Sequence, residues 1–344
     1  MPQIDVFTPE QVTNQVNPAP IGAYNLQLLA QGDSWFSIGN LGLPTSNLFD
    51  GMSTTTQACA VNCARPGVKL SRMTDNVKQP FFLSMLNGKL SQQWGGILLS
   101  GGGNDLIEAV QAGPDNTPDN RILATQSEWT TAVGGDKYLS NLGWAKFAKY
   151  LTAVVAGFLA TRDQGPNKGV PVIMHTYDDA VPRNCGAGLG AGPWLYPAML
   201  AFKIPQSDWA LASQAILTRL QVLLDHIAAT TPDGSLHIVH TQGTLTPALT
   251  TDTGGTLDWA NEIHPSINGY RKLSALWQPV LDQVLSGIAP AAVSAAAINV
   301  GTSAPTLGQL LQQPAKPGLN VPGVSAPPAP TRRDDGAQPG ATPA

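Results

Sequence analysis

The sequence predicts an α/β protein built on a parallel sheet with helices on both sides, and three observations predict it. Five short apolar runs are each bounded by Gly, Pro or polar residues, as strands buried on both faces should be. Longer stretches of helical periodicity alternate with them. The order strand, helix, strand then calls for right-handed crossovers and parallel pairing.

Taken along the chain, the expected strands are Tyr24–Ala30, Cys59–Ala64, Gly96–Ser100, Val170–His175 and Leu236–His240. The expected helices are Ser71–Leu86, Leu142–Thr161, Ser207–Ala229 and Ser266–Leu285. In the second helix, Leu142, Phe147, Leu151, Val154, Val155 and Phe158 follow one stripe; in the fourth, Ile267, Leu273, Leu276, Trp277, Val280, Leu281 and Val284 do so. Residues 1–23 are polar with scattered Pro and read as an N-terminal arm, ahead of a domain over 24–288. From 289 to 344 the chain is rich in Ala, Pro, Gly and Ser, a composition too poor in apolar surface to offset its ordering entropy. Within that tail, only Thr306–Gln312 has a short apolar period.

Composition narrows the function classes. Of 344 residues, 42% are hydrophobic and 12% charged, and the formal charge of −4 leaves no basic surplus for a phosphate backbone. Nucleic acid is therefore not an expected partner, and no apolar run is long enough for a membrane span. The N-terminus lacks a basic start followed by an apolar core, so the expected location is the cytoplasm, or outside it by a Sec-independent route. Cys59, Cys63 and Cys185 are odd in number and form no CxxC pair, against a disulfide framework or zinc module. No metal-ligand cluster is legible, and no cofactor is expected.

Ligands of parallel sheets sit beyond the carboxyl ends of the strands, so those positions carry the chemistry. After the first strand, Gln31-Gly32-Asp33-Ser34-Trp35 places a Ser hydroxyl in a tight strand-to-helix turn, where Gly32 permits a sharp bend. After the second comes Asn62 to Gly67, where a Gly allows a backbone N–H to approach a ligand oxygen that a side chain would crowd. After the third, Ser100-Gly101-Gly102-Gly103-Asn104 offers an amide N–H from Asn104, which reads equally as a helix cap. No Gly-Lys-Ser/Thr follows, so this is not a phosphate loop. Near the end, Asp258 to Ser266 presents His264 before Pro265, suited to the start of a helix, where the ring can take the proton of Ser34. The stretch His175 to Asp179 is placed to line a pocket or to serve as a structural loop, and Cys185 to Trp194 reads as a glycine-rich loop beside the site. Trp35, Trp194 and Trp259 are candidates for an apolar wall or for core packing.

Together the blocks Gly-Asp-Ser, Gly, Gly-x-Asn-Asp and His-Pro, in that order from Tyr24 to Gly287, resemble the SGNH (GDSL-like) hydrolase family. The resemblance implies a three-layer α/β/α flavodoxin-like fold with a five-stranded parallel sheet, and a serine esterase or lipase working through an acyl-enzyme. Position by position it implies Ser34 as nucleophile, His264 as base, and Gly67 and Asn104 as oxyanion donors beside the Ser34 amide. Gly39 and Gly42 also lie near the nucleophile in the chain. One position departs: the family places an Asp three residues before the His, and Asn261 stands there. An Asn carbonyl can orient an imidazole without offsetting its charge, and Asp258 and Glu262 are the nearby acids that compete for the role. The expected substrate is an acyl ester of a small molecule, lipid or acetylated glycan. The departure also leaves open a non-catalytic module of the same fold that binds an acylated glycan or a protein partner.

Overall fold

In a computed structural model, residues 1–38, 46–188 and 190–286 are described. The tail over 289–344, Gly39 and Gly42 lie outside them. Six strands form one sheet: β1 Asp5–Phe7, β2 Leu26–Gly32, β3 Ala58–Asn62, β4 Gly96–Ser100, β5 Val172–His175 and β6 Leu236–Val239. Every pairing is parallel and the order is β1-β3-β2-β4-β5-β6. The α/β class and parallel sheet expected from the sequence are therefore present, with one strand more than the five expected. The extra strand comes from the polar arm: Asp5, Val6 and Phe7 pair with Cys59, Ala60 and Val61. At an edge only one side of a strand is paired, so a segment of three residues suffices.

Setting β1 aside, the order β3-β2-β4-β5-β6 is that of a flavodoxin-like sheet. The chain steps one way from β2 to β3 and then the other way through β4, β5 and β6. Right-handed crossovers consequently put intervening helices on both faces, and the reversal opens a crevice at the carboxyl ends of β2 and β4. The interior strands β3 and β4 are buried along their whole length.

The helices are α1 Pro9–Val12, α2 Ser34–Ser37, α3 Pro80–Leu86, α4 Gly103–Gln111, α5 Asn141–Arg162, α6 Tyr196–Ala201, α7 Trp209–Thr230, α8 Ile267–Ala275 and α9 Trp277–Leu285. In α5 the buried face runs through Trp144, Phe147, Leu151, Val155 and Phe158, whereas Leu142 is exposed. Two expected helices are shorter than their periodicity suggests. Over 71–86 the chain turns first, because Asp75 Oδ1 accepts the amides of Val77 and Lys78 and draws them out of helical pairing. Helix α3 begins only at Pro80, whose fixed φ suits the first helical position. The expected helix over 266–285 is two, separated at Leu276, because Pro279 has no N–H to donate to the turn before it. No described helix is long and apolar enough to cross a membrane.

Candidate active site

Ser34 is the first residue of α2, directly beyond β2 and so at the crevice where the strand order reverses. Asp33 caps that helix by accepting the Trp35 amide at 3.0 Å. Gly32 still belongs to β2, and its missing side chain serves a close approach rather than a bend. A Cβ there would lie 2.8 Å from Ser100 Cβ and 2.9 Å from the Ser100 carbonyl on β4.

His264 lies 230 residues further along the chain, yet its Nε2 is 2.8 Å from Ser34 Oγ. Its Nδ1 is 3.0 Å from Asn261 Oδ1, which also accepts the amides of His264 at 3.0 Å and Ile263 at 3.2 Å. Because that oxygen only accepts, Nδ1 carries the hydrogen and Nε2 presents its lone pair to the serine hydroxyl. The His is not at a helix start: Ser266 caps α8 by accepting the Gly269 amide, so His264 precedes the cap by two residues. A knot of main-chain bonds holds it instead, Ala260 N–H to the His264 carbonyl and Ser266 N–H to the Asp258 carbonyl.

The competing acids face elsewhere. Asp258 Oδ2 accepts from Lys272 Nζ at 2.6 Å and from the Thr246 amide at 2.8 Å. The Glu262 carboxylate is buried and accepts four main-chain N–H groups, those of Arg183, Trp194, Leu195 and Tyr196. Glu262 thereby ties the His loop to the segment that carries Trp194, whose ring meets the His264 ring edge-on at 5.3 Å between centroids. With no carboxylate at Nδ1, burial alone acts on the imidazole and lowers its pKa to about 4.

Gly67 and Asn104 border the same wide cleft as Ser34, Asn261 and His264, a space of about 960 Å³. Gly67 is needed for its φ of +74°, since an added Cβ would meet nothing within 4 Å. Asn104 is the second residue of α4, whose cap is Gly102, so it is not a capping residue. One of its amide hydrogens goes to the Val68 carbonyl at 3.1 Å, and the group has a second to offer.

A buried network behind Ser34 was not legible in the sequence. Asp33 Oδ1 accepts from Ser100 Oγ at 2.9 Å and Asp33 Oδ2 from Tyr177 Oη at 2.5 Å. His175 Nε2 stands 2.9 Å from the same Ser100 Oγ, while its Nδ1 is 2.6 Å from the Thr176 carbonyl and so carries a hydrogen. Ser100 has one hydrogen and cannot donate to both neighbours. The chain Asp33–Ser100–His175 is complete only with one further proton on either end. Burial raises the Asp33 pKa to about 6, against the hydrogen bonds of Tyr177, Trp35 and Ser100, and lowers that of His175 to about 4. The carboxyl is thus the more basic end and takes that proton as the pH falls through about 6. His175 also stacks on Trp35, at 5.3 Å between centroids, so the network braces the helix that bears Ser34. Trp259, by contrast, is buried in the core, its indole nitrogen without a partner among the described residues.

No protein-family model matches the chain, and no curated protein does either. Solved structures to which it is similar include an extracellular lipase from Streptomyces rimosus, at 15% identity over 74% of this chain and 98% of that one, with a TM-score of 0.42. A lipase from a goat rumen metagenome is 13% identical over 73% of this chain and 95% of that one, with a TM-score of 0.41. Phospholipase A1 from Streptomyces albidoflavus NA297 is 13% identical over 74% and 97%, with a TM-score of 0.39.

Proposed function

We propose that this chain is a serine carboxylester hydrolase of the SGNH type that works through an acyl-enzyme on Ser34. The observation that carries the reading is the 2.8 Å contact of Ser34 Oγ with the lone-pair side of a His264 ring whose other nitrogen is fixed by Asn261. His264 Nε2 takes the hydroxyl proton as Ser34 Oγ attacks the ester carbonyl carbon. The Ser34 and Gly67 amides and the Asn104 side chain receive the negative oxygen of the tetrahedral intermediate. Collapse breaks the bond to the alcohol, which leaves with the proton from Nε2. Water then attacks the acyl-enzyme, gives its proton to His264, and the acid departs as Ser34 regains its hydrogen.

A fluorophosphonate probe tests this reading. Mass spectrometry is expected to find the adduct on Ser34 in the parent chain and none in Ser34→Ala, with ester hydrolysis lost in the same variant. Labelling of Ser34→Ala at an undiminished rate would assign the nucleophile elsewhere. Asn261, where a carboxylate is usual, favours the second reading of a binding module without turnover. A parent chain that neither labels nor hydrolyses short esters would decide for that one.

A further inference from the structure

Ser34 borders two cavities, and they differ in size and chemistry. The wide cleft of about 960 Å³ opens toward the Trp194 segment and α8. The second cavity, about 50 Å³, runs inward from Ser34, Asn104 and Ile263 between α4 and α7, lined by Leu106, Ile107, Leu195, Ile216 and Leu217. Four side chains with carboxyl or hydroxyl groups also border it, and each is already engaged, Asp33 with the Trp35 amide and with Ser100 and Tyr177. Ser213 donates to the Ala180 carbonyl at 2.5 Å, and the Tyr177 hydroxyl donates to Asp33 at 2.5 Å. The Asp178 carboxylate accepts the amides of Asp179, Gly243, Thr244 and Leu245. Beyond its mouth the small cavity is lined mainly by apolar side chains, and its carboxylates and hydroxyls already have protein partners. An apolar chain fits such a lining, and an alcohol or sugar would lose its hydration there without replacement.

Resting on the esterase reading, we infer that this small cavity is the acyl site and that it restricts the substrates to esters of short, unbranched acids, acetyl through about pentanoyl. The alcohol portion then lies in the wide cleft. A water-sized group needs roughly 10–15 Å³ of such space, so the cavity takes about four of them beyond the carbonyl carbon. Butanoyl, with three carbons past its carbonyl, fits. Octanoyl, with seven, does not.

The test is kcat/KM across 4-nitrophenyl acetate, butanoate, octanoate and dodecanoate, in the parent chain and two variants. Each methylene that enters the cavity is expected to raise kcat/KM about fourfold, so the profile climbs from acetate to butanoate and falls at least tenfold by octanoate. Ile216→Ala removes three carbons from the wall and is expected to move the optimum toward hexanoate and octanoate. Ala180 also lines the cavity, and Ala180→Val narrows it and is expected to depress butanoate at least fivefold more than acetate. Octanoate or dodecanoate matching butanoate in the parent chain, or both variants keeping the parent profile, overturns the acyl assignment while leaving the esterase reading intact. No hydrolysis of any of the esters, together with no phosphonate adduct on Ser34, removes the esterase reading and this assignment with it.

Discussion

Replacing Asn261 by Asp puts a carboxylate 3.0 Å from His264 Nδ1, where an amide oxygen now sits. That oxygen only accepts hydrogen bonds, from two main-chain amides and the ring, so a carboxylate oxygen fits the same contacts. With the charges about 4 Å apart and an effective dielectric near 20, attraction to an imidazolium is about 4 kcal/mol, or about 3 pKa units. Part of this is offset by burying the new charge, so a rise of about 2 units is the working figure. In the proposed mechanism the imidazole must be neutral to accept the Ser34 proton, and with a pKa of about 4 it stays neutral well into acid. The parent chain is therefore expected to keep kcat/KM on 4-nitrophenyl acetate flat down to about pH 5 and lose it near 4. In Asn261→Asp the acid limb moves up to about pH 6, and kcat at pH 8 rises at least tenfold as the carboxylate stabilises the imidazolium of the transition state. Rates read at the isosbestic wavelength of 4-nitrophenol, with circular dichroism at each pH to confirm the fold, make the measurement. A parent acid limb between pH 6 and 7, or a limb that the substitution leaves in place, would refute the reasoning.

Three further outcomes are expected. Asn104→Ala should lower kcat on 4-nitrophenyl acetate by about 10²–10³ with little change in KM, the usual loss for one oxyanion donor; a drop below fivefold counts against that role. Gly32→Ala drives a methyl to within 2.9 Å of the Ser100 backbone, and urea unfolding should show a loss of about 1–3 kcal/mol or more; an unchanged midpoint would mean that β2 and β4 can part. His175→Phe should unmask the titration of Asp33, whose folded pKa of about 6 exceeds its unfolded value of 3.8. A raised carboxyl pKa stabilises below the unfolded value and loses that contribution as pH rises through the folded one. His175, depressed from 6.5 to about 4, gains stability over nearly the same window, so the pair cancels in the parent chain. The stability of the variant relative to the parent is then expected to fall by up to about 3 kcal/mol from pH 4 to 6.5, and a constant difference would show that no proton is exchanged.

The parts of the fold legible in the sequence were those decided locally. A central strand buried on both faces is an apolar run with punctuation at each end, and Gly96–Ser100 was read to the residue. Helix α5, with a full stripe from Trp144 to Phe158, was read to within one residue at each end. Strand β1 was missed because three residues at an edge are selected by the partner strand and not by their own pattern. The split of α8 from α9 and the late start of α3 were both signalled by prolines, at 279 and 80, that outweighed the apolar period. At the site, the strand-end blocks brought Ser34, Gly67, Asn104 and His264 to one cleft. The orientation of Asp258 and Glu262 was not legible, since it depends on Lys272 and on four amides between 183 and 196. Nor was the Asp33–Ser100–His175 chain, whose members sit on three strand tips and carry no common spacing. One signal existed: a strand as apolar as β5 that ends in a buried His requires a polar partner on a neighbouring strand.

The charges left out of the cluster say what kind of base it holds. His264 has an amide where an acid is usual, Glu262 and Asp258 spend their charge on other partners, and burial lifts the Asp33 carboxyl to a pKa of about 6. An imidazole in such surroundings is a weak base and a strong acid. It draws the Ser34 proton less effectively than a carboxylate-backed ring, yet surrenders it more readily to the departing alcohol. Activated aryl esters need no such proton, because 4-nitrophenolate leaves unaided. Esters of ordinary alcohols need it most. On the esterase reading, the balance of the site is therefore expected to favour alkyl or sugar esters over aryl esters, relative to what a Ser-His-Asp arrangement would give. Asn261→Asp reverses that balance: it should accelerate 4-nitrophenyl acetate more than ethyl acetate. An equal gain on both esters would mean that breakdown of the tetrahedral intermediate, and with it the acidity of His264, does not limit the reaction.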